Sequence, residues 1–327
     1  MTALLESRSL AVTVAPNVGG TITKIIHKPN GLSILGEVPW SPISAPLDPP
    51  AAPDEPTWLT RYTGGWPLLF PNGGDACDFD GRRHGFHGEA SIAPWLAEQK
   101  GSALYLQRDF TTIPVTMRRV ISLDDDLLTI EEEAIASEPV TVMWGHHPTF
   151  GSDLLDGGFE IDTGAQSVIA DSLYDPPASP LQPGAKGNWP HLAGKQGTLD
   201  LRYPGRLGEI ALLAYLTDFK APWISIRRSD NAVAALLSWD DTLFPHAWFW
   251  CELGGTPDAP WRGKARLIGL EPNTTCFGGG IAEASKRGEN LLRLEPGKPV
   301  KATIRLQIFK PDGAITGIDA TGRASGN

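Results

Sequence analysis

A histidine and a glutamate hold matching positions in this chain, each at the end of an apolar run and each directly before a proline. In 140–151 the run Val140, Thr141, Val142, Met143, Trp144, Gly145 leads into His146, His147 and Pro148. In 267–280 the run Leu267, Ile268, Gly269, Leu270 leads into Glu271 and Pro272. Proline cannot donate to a strand ladder and keeps the residue before it extended, so both side chains sit where a strand ends. Histidine has the ordinary pKa nearest neutrality, which suits His147 to proton donation. A carboxylate facing it across a cleft supplies the complementary acceptor, and its charge would favour the imidazolium. Packing is the competing explanation, because Trp144 and Phe150 flank the histidines and an imidazole among aromatics can simply fill a core edge.

Two further stretches carry side chains suited to a ligand. Residues 64–95 hold so many glycines and prolines that little helix or strand fits, yet they carry Trp66, Asn72, His84, His87, Glu89 and Trp95. Aromatic faces beside hydrogen-bonding groups suit sugars. Residues 245–255 set Trp248 and Trp250 beside Glu252, where the indoles fit sugar stacking and core packing equally well. Asp240 and Asp241, after Trp239, read as a plain turn. Arg61, Arg82 and Arg83 lie near the His84 loop and would suit a phosphate on the ligand, but exposed arginines ordinarily sit in surface ion pairs, which is the reading adopted. A cupin-type metal site could draw on His84, His87, Glu89, His146 and His147. Such sites pair His-x-His with a later Glu, whereas the spacing here is His-x-x-His, so no metal is expected. Glycoside hydrolysis needs two facing carboxyl groups, and only Glu271 is in place.

The elements that must position these groups are strands. A hairpin is expected over 10–26 around the turn Pro16, Asn17, Val18, Gly19, Gly20. β-type runs follow at 104–110, 115–123, 127–136, 140–144, 167–171, 210–216, 223–228, 232–239, 247–253, 265–270 and 300–309, with helical spacing only near 282–286. Strands at that spacing, among 29 prolines and 36 glycines, predict an all-β fold, a large antiparallel β-sandwich. Residues 37–58, dense in proline, and 176–197 are expected to be irregular connections. One domain is expected over 1–312, followed by a frayed tail over 313–327. The net charge of −10 argues against a nucleic-acid partner. Three cysteines without Cys-x-x-Cys spacing point to buried thiols. Glu6 and Arg8 stand where a signal peptide needs its apolar segment, and no apolar run reaches membrane-spanning length, so a cytoplasmic protein without a membrane partner is expected.

In order along the chain these landmarks resemble the aldose 1-epimerase (galactose mutarotase) superfamily. Residues 14–22 are similar to its Pro-x-x-Gly-Gly hairpin, Phe70-Pro71-Asn72 to its Phe-Pro-Asn, and His84-Gly85-Phe86 to its His-Gly-Phe. His146-His147-Pro148-Thr149-Phe150 resembles its Asn-His-Pro-Tyr-Phe, Leu270-Glu271-Pro272 its late Glu-Pro, and 294–297 the turn before its last strand. The resemblance implies a sugar bound on a concave sheet face. It also implies that Glu271 takes the proton of the C1 hydroxyl while His147 protonates the ring oxygen, and that His84 binds substrate. His87, Asn72, Trp66, His146, Trp250 and Glu252 complete the expected substrate contacts, with His87 in a milder, supporting role. His146 and Thr149 depart from the family pattern, and its sugar-binding aspartate has no clear counterpart. A monosaccharide or sugar derivative is the expected partner, the protein being a monomer or homodimer, and the chemistry requires no cofactor.

Overall fold

The structure, a computed structural model, describes residues 2–43 and 52–325, so part of the proline-dense 37–58 stretch lies outside the described residues. The protein is an all-β sandwich. One sheet runs, by hydrogen-bonded neighbours, through Leu68–Leu69, Gly145–His146, Arg266–Asn273, His246–Leu253, Ile210–Arg228, Ala234–Trp239, Val300–Phe309, Leu127–Ala136, Val115–Asp124, Ala103–Asp109 and Leu96–Lys100. A second sheet pairs Ala3–Glu6, Leu10–Ala15, Thr21–His27 and Leu32–Ser33 in sequence order. Every ladder is antiparallel. Ile210–Arg228 is the long span of the first sheet: its first half pairs with His246–Leu253 and its second with Ala234–Trp239, while Phe159–Ala170 lies along its other edge with a bulge between Thr163 and Ala165.

One apolar core draws on both sheets, from Leu5 to Ile308. Period-two alternation explains how the sheet reaches it. In His246–Leu253 the odd residues Ala247, Phe249, Cys251 and Leu253 join the core. A large apolar side chain buried as Phe249 is contributes about 1.5–3 kcal/mol. The even residues His246, Trp248, Trp250 and Glu252 face the other way, in register with Asn273, Glu271, Gly269 and Leu267. That second face carries a smaller cluster of Leu69, Met143, Tyr215, Trp248, Cys276, Ile281 and Ala284, closed by the helix Ile281–Lys286. No described helix is long and apolar enough to cross a membrane.

Three expectations need correction. The stretch 64–95 does hold strand: Cys77–Phe79 and Arg82–His84 form a hairpin about Asp80 and Gly81, whose φ values of 48° and 70° are what a two-residue hairpin turn demands. The 176–197 connection is partly paired, Lys186–Asn188 with Phe159–Ala170 and His191–Gly194 with Gly197–Asp200. The tail is not frayed over its described part. Ile315 is buried, Ile318 and Ala324 pack around Trp223 and Leu236, Arg323 pairs with Asp124 and Asp126, and Ala324 N donates to Gln307 Oε1 at 2.9 Å.

Candidate functional site

Register brings the histidine and the glutamate together. Gly145 pairs with Asn273 and Thr149 with Gly269, so the interrupted position between them sets His147 opposite Glu271. Pro148 breaks the ladder there, and the backbone is held from the other side by His147 N donating to Pro67 O at 3.1 Å and Thr149 N to Gly65 O at 2.8 Å. His147 Nε2 lies 3.4 Å from Glu271 Oε1, with the side chains 7 % and 2 % exposed. Gly269, two residues before Glu271 on the same face, makes room for the carboxylate: a Cβ there would stand 2.2 Å from Glu271 Oε1.

Little water reaches the pair, and this decides its charge. Burial pushes the Glu271 carboxyl well above the usual carboxylate range and pushes the His147 imidazole down to about 4. The imidazolium expected from a neighbouring carboxylate is therefore reversed by burial. An ion pair and a neutral pair contain the same single exchangeable proton, and the two groups titrate as one unit. Burial places that proton on Glu271.

Aromatic and hydroxyl groups enclose the pair. His147 Nδ1 is 2.9 Å from Thr149 Oγ1, which lies 2.7 Å from the Tyr62 hydroxyl. Tyr62 stacks on Trp58 at 4.6 Å between centroids; Trp58 lies in the short helix Glu55–Leu59, capped by Asp54, and Tyr62 just after it. The His87 ring is 5.4 Å from that of His147. Gly74 N donates to His87 Nδ1 at 3.0 Å, which leaves the His87 proton on Nε2, and burial followed by the neighbouring His147 keeps this imidazole well below its ordinary pKa. Trp250 lies 5.9 Å from the His147 ring and 5.6 Å from Trp261, which in turn meets Trp40 edge-on. Tyr174 lies beside Trp250 and Glu252 and within electrostatic range of Glu55. Tyr62, Tyr174 and Gly269 were not singled out from the sequence, and Thr149 was noted there only as a departure from the family pattern.

The other expected residues divide. His146 points opposite to His147, as neighbours on extended chain must. Trp66 Nε1 donates to His146 Nδ1 at 3.2 Å, and His146 Nε2 meets Glu132 Oε2 at 3.1 Å. Both His146 and Trp66 are fully buried on the core side, so neither is placed to touch a ligand on the face of His147. Glu132 also accepts from Trp144 Nε1 at 3.0 Å and pairs with Arg119 Nε at 2.7 Å. Burial raises the Glu132 carboxyl, but His146, Arg119 and Trp144 together outweigh it and hold the group below its ordinary value.

Asn72 is committed to the backbone. Its amide donates to Asp75 O and Gly85 O, each at 2.9 Å, and accepts from Ile281 N at 2.8 Å, so it ties three loops together rather than presenting a group to a ligand. Glu252 lies on the face of Trp250 and Glu271 and accepts from the Thr256 amide and hydroxyl. His84 is buried at the end of its hairpin, opposite Cys77, with its pKa lowered by burial and its Nδ1 without a described partner; it makes no described ring contact with His147.

Arg82 pairs with Glu138 and Arg83 with Asp78 on the surface. Arg61 lines a separate cavity of about 240 Å³ that shares the Trp58–Tyr62 wall. Glu89, a ligand in the cupin-type alternative, is held by Arg108 and the amides of Thr111 and Thr112. No three His, Cys, Asp or Glu side chains converge on a cation position among the described residues.

Several solved structures share this fold. A Synechocystis sp. PCC 6803 protein matches with TM-score 0.66 and 18% identity, covering 95% of this chain and 96% of its own. A galactose mutarotase related enzyme from Lactobacillus acidophilus matches with TM-score 0.62 and 17% identity over 95% and 99%. An aldose epimerase homologue from C. elegans gives TM-score 0.63 and 12% identity over 95% and 99%. No protein-family model matches the sequence, and neither does any curated protein. The chain therefore has the fold of the aldose 1-epimerase and galactose mutarotase-like proteins.

Proposed function

We propose that the protein is an aldose 1-epimerase, an isomerase that interconverts the α and β anomers of a free neutral sugar by ring opening and reclosure. The observation that carries this reading is the buried imidazole and carboxyl at 3.4 Å, His147 Nε2 to Glu271 Oε1. Ring opening needs one proton removed from the C1 hydroxyl and one supplied to the ring oxygen. A pair that owns one exchangeable proton does both and is regenerated on reclosure, a gain of about 10²- to 10⁴-fold per positioned group. Burial of both groups favours the neutral pair, with the proton on Glu271. Sugar hydroxyls donating to the carboxylate stabilise its charged form and move the proton to His147 Nε2. Glu271 then takes the C1 proton while His147 protonates the ring oxygen, and rotation about the first carbon–carbon bond precedes reclosure.

Trp250 offers a face for the sugar ring, and His87, Tyr174 and Glu252 offer polar contacts; His84, with its unpartnered Nδ1, is assigned a binding role. Tyr174 feels the acids Glu252 and Glu55, and Arg82 and Arg83 are paired at the surface, which favours a neutral over a phosphorylated sugar.

The test is polarimetry of freshly dissolved α-anomers, neutral and phosphorylated, with the spontaneous rate subtracted and with EDTA present. Wild-type protein accelerates mutarotation of a neutral aldose, and His147→Asn loses turnover whereas His84→Asn raises KM. Sugar binding without any acceleration would instead identify a non-catalytic carbohydrate-binding module on the same fold.

A further inference from the structure

The hydroxyl chain behind His147 has a direction. Tyr62 is 4 % exposed, and its described hydrogen bond goes to Thr149 Oγ1 at 2.7 Å. A buried phenol rarely leaves its proton unused, so Tyr62 donates and Thr149 accepts. Thr149 has one proton of its own, and its oxygen is placed to donate to the His147 carbonyl at 3.4 Å. One lone pair of Oγ1 then remains, directed at His147 Nδ1 at 2.9 Å. Donors and acceptors balance when Nδ1 carries the ring proton.

We infer that Thr149 and Tyr62 are positioning residues that hold His147 as its Nδ1–H tautomer, leaving Nε2, the nitrogen facing Glu271, as the ring atom that exchanges protons. The arrangement suits both forms of the ring. Nδ1–H donates to Thr149 when the imidazole is neutral and still does so when Nε2 gains a proton, so the ring need not rotate during the exchange. A protonated Glu271 carboxyl also needs an acceptor, and Nε2 stands beside it at 3.4 Å. Of the titratable side chains around the ring, Glu271 comes from Arg266–Asn273, His87 from the loop after Arg82–His84, and Tyr62 from the segment after Glu55–Leu59. None competes for Nδ1. This inference goes beyond the proposed reaction and concerns the resting ring, so it is testable whether or not a sugar is turned over.

The experiment is ¹⁵N NMR of the histidine rings in uniformly labelled full-length protein at neutral pH, with His147 assigned by its disappearance in His147→Asn. The expected result is a pyrrole-type Nδ1 and a pyridine-type Nε2. Thr149→Val should shift the ring to the other tautomer or a mixture, Thr149→Ser should restore it, and Tyr62→Phe should give an intermediate shift. Where mutarotation is measurable, Thr149→Val should lower kcat at least about tenfold, with KM changed less than about twofold, and Thr149→Ser should recover most of the loss. A protonated Nε2 with a bare Nδ1 in the wild type overturns the inference. So does a wild-type tautomer that persists in both Thr149→Val and Tyr62→Phe; if the valine variant does not fold, Thr149→Ser and Tyr62→Phe carry the comparison. An absent mutarotase rate with the expected tautomer would defeat the proposed reaction and leave this inference standing.

Discussion

Replacing Gly269 by alanine separates the position of the carboxylate from the stability of the sheet. Gly269 lies inside the strand Arg266–Asn273 without a positive φ, so alanine is compatible with the backbone. Its Cβ would stand 2.2 Å from Glu271 Oε1, 3.1 Å from Cδ and 3.4 Å from Cγ. Only the oxygen is in severe conflict, and it is the end of a flexible side chain. To regain an ordinary non-bonded separation the oxygen must retreat by about 1 Å. A misplacement of that size at a reacting group costs roughly 10²-fold in rate. Stability should barely move, because alanine restricts the unfolded chain by about 0.4–1 kcal/mol and so offsets the local crowding. The assay is polarimetric mutarotation of a neutral α-aldose, beside circular dichroism and denaturant unfolding of the same samples. We expect kcat near one hundredth of wild type with an unfolding free energy within about 1 kcal/mol. A folded Gly269→Ala variant with more than about half the wild-type kcat would refute the reasoning, since a displacement of that size could not leave the rate intact.

Glu271→Gln should abolish at least nine-tenths of the catalysed rate, the low end of a general-base contribution being about tenfold above that threshold. It should also change how stability depends on pH. In the folded protein Glu271 keeps its proton where the unfolded carboxyl has released it, so this group lowers wild-type stability as pH rises from its ordinary value toward its raised folded one. The glutamine variant lacks that loss, and the difference in unfolding free energy, glutamine minus glutamate, should grow with pH; a difference that is flat between pH 5 and 8 would show that Glu271 is not held protonated. His147 acts in the opposite sense, since the unfolded ring takes up a proton below about pH 6.5 and the folded ring only near 4. Stability contributed by His147 is lost on acidification across that window, and His147→Asn should remove the loss. On the core side, Glu132→Gln should destabilise by about 3–5 kcal/mol in denaturant unfolding, because it strips the fully buried Arg119 of its anion. The paired change Arg119→Met with Glu132→Leu should cost less than the single one; if it costs more, the network stabilises beyond its mutual pairing.

Much of this was legible because it depends on local period and punctuation. The runs at 115–123, 127–136 and 300–309 are strands within a residue or two, and the prolines after His147 and Glu271 mark the interruption where the two side chains meet. The hairpin at Asp80-Gly81 was legible too, since that dipeptide between Cys77–Phe79 and Arg82–His84 is a strong turn signal, but the surrounding glycines and prolines masked it. The tail gave no signal, because what holds it is remote: Arg323 reaches Asp126, 197 residues earlier in the sequence.

His146 shows what the alternation rule could have added. Once His147 is assigned to the ligand face, an extended chain sends its neighbour to the other side, so only one of the two histidines can be functional there, and the second must find partners in the core. It does, in Glu132 and Trp66. The charge of the site was beyond residue type altogether. A histidine beside a glutamate in water forms an ion pair, and the sequence contains both; whether they ionise depends on how much water is left between them. Trp58 and Tyr62, Phe86, and Trp250 come from three separate segments of the chain, and only their convergence around His87 and His147 makes the surroundings apolar enough for burial to outweigh the attraction between imidazolium and carboxylate. The neutral pair is therefore a property of the assembled site, and in the reaction proposed above it falls to the sugar's hydroxyls to make the charged form attainable.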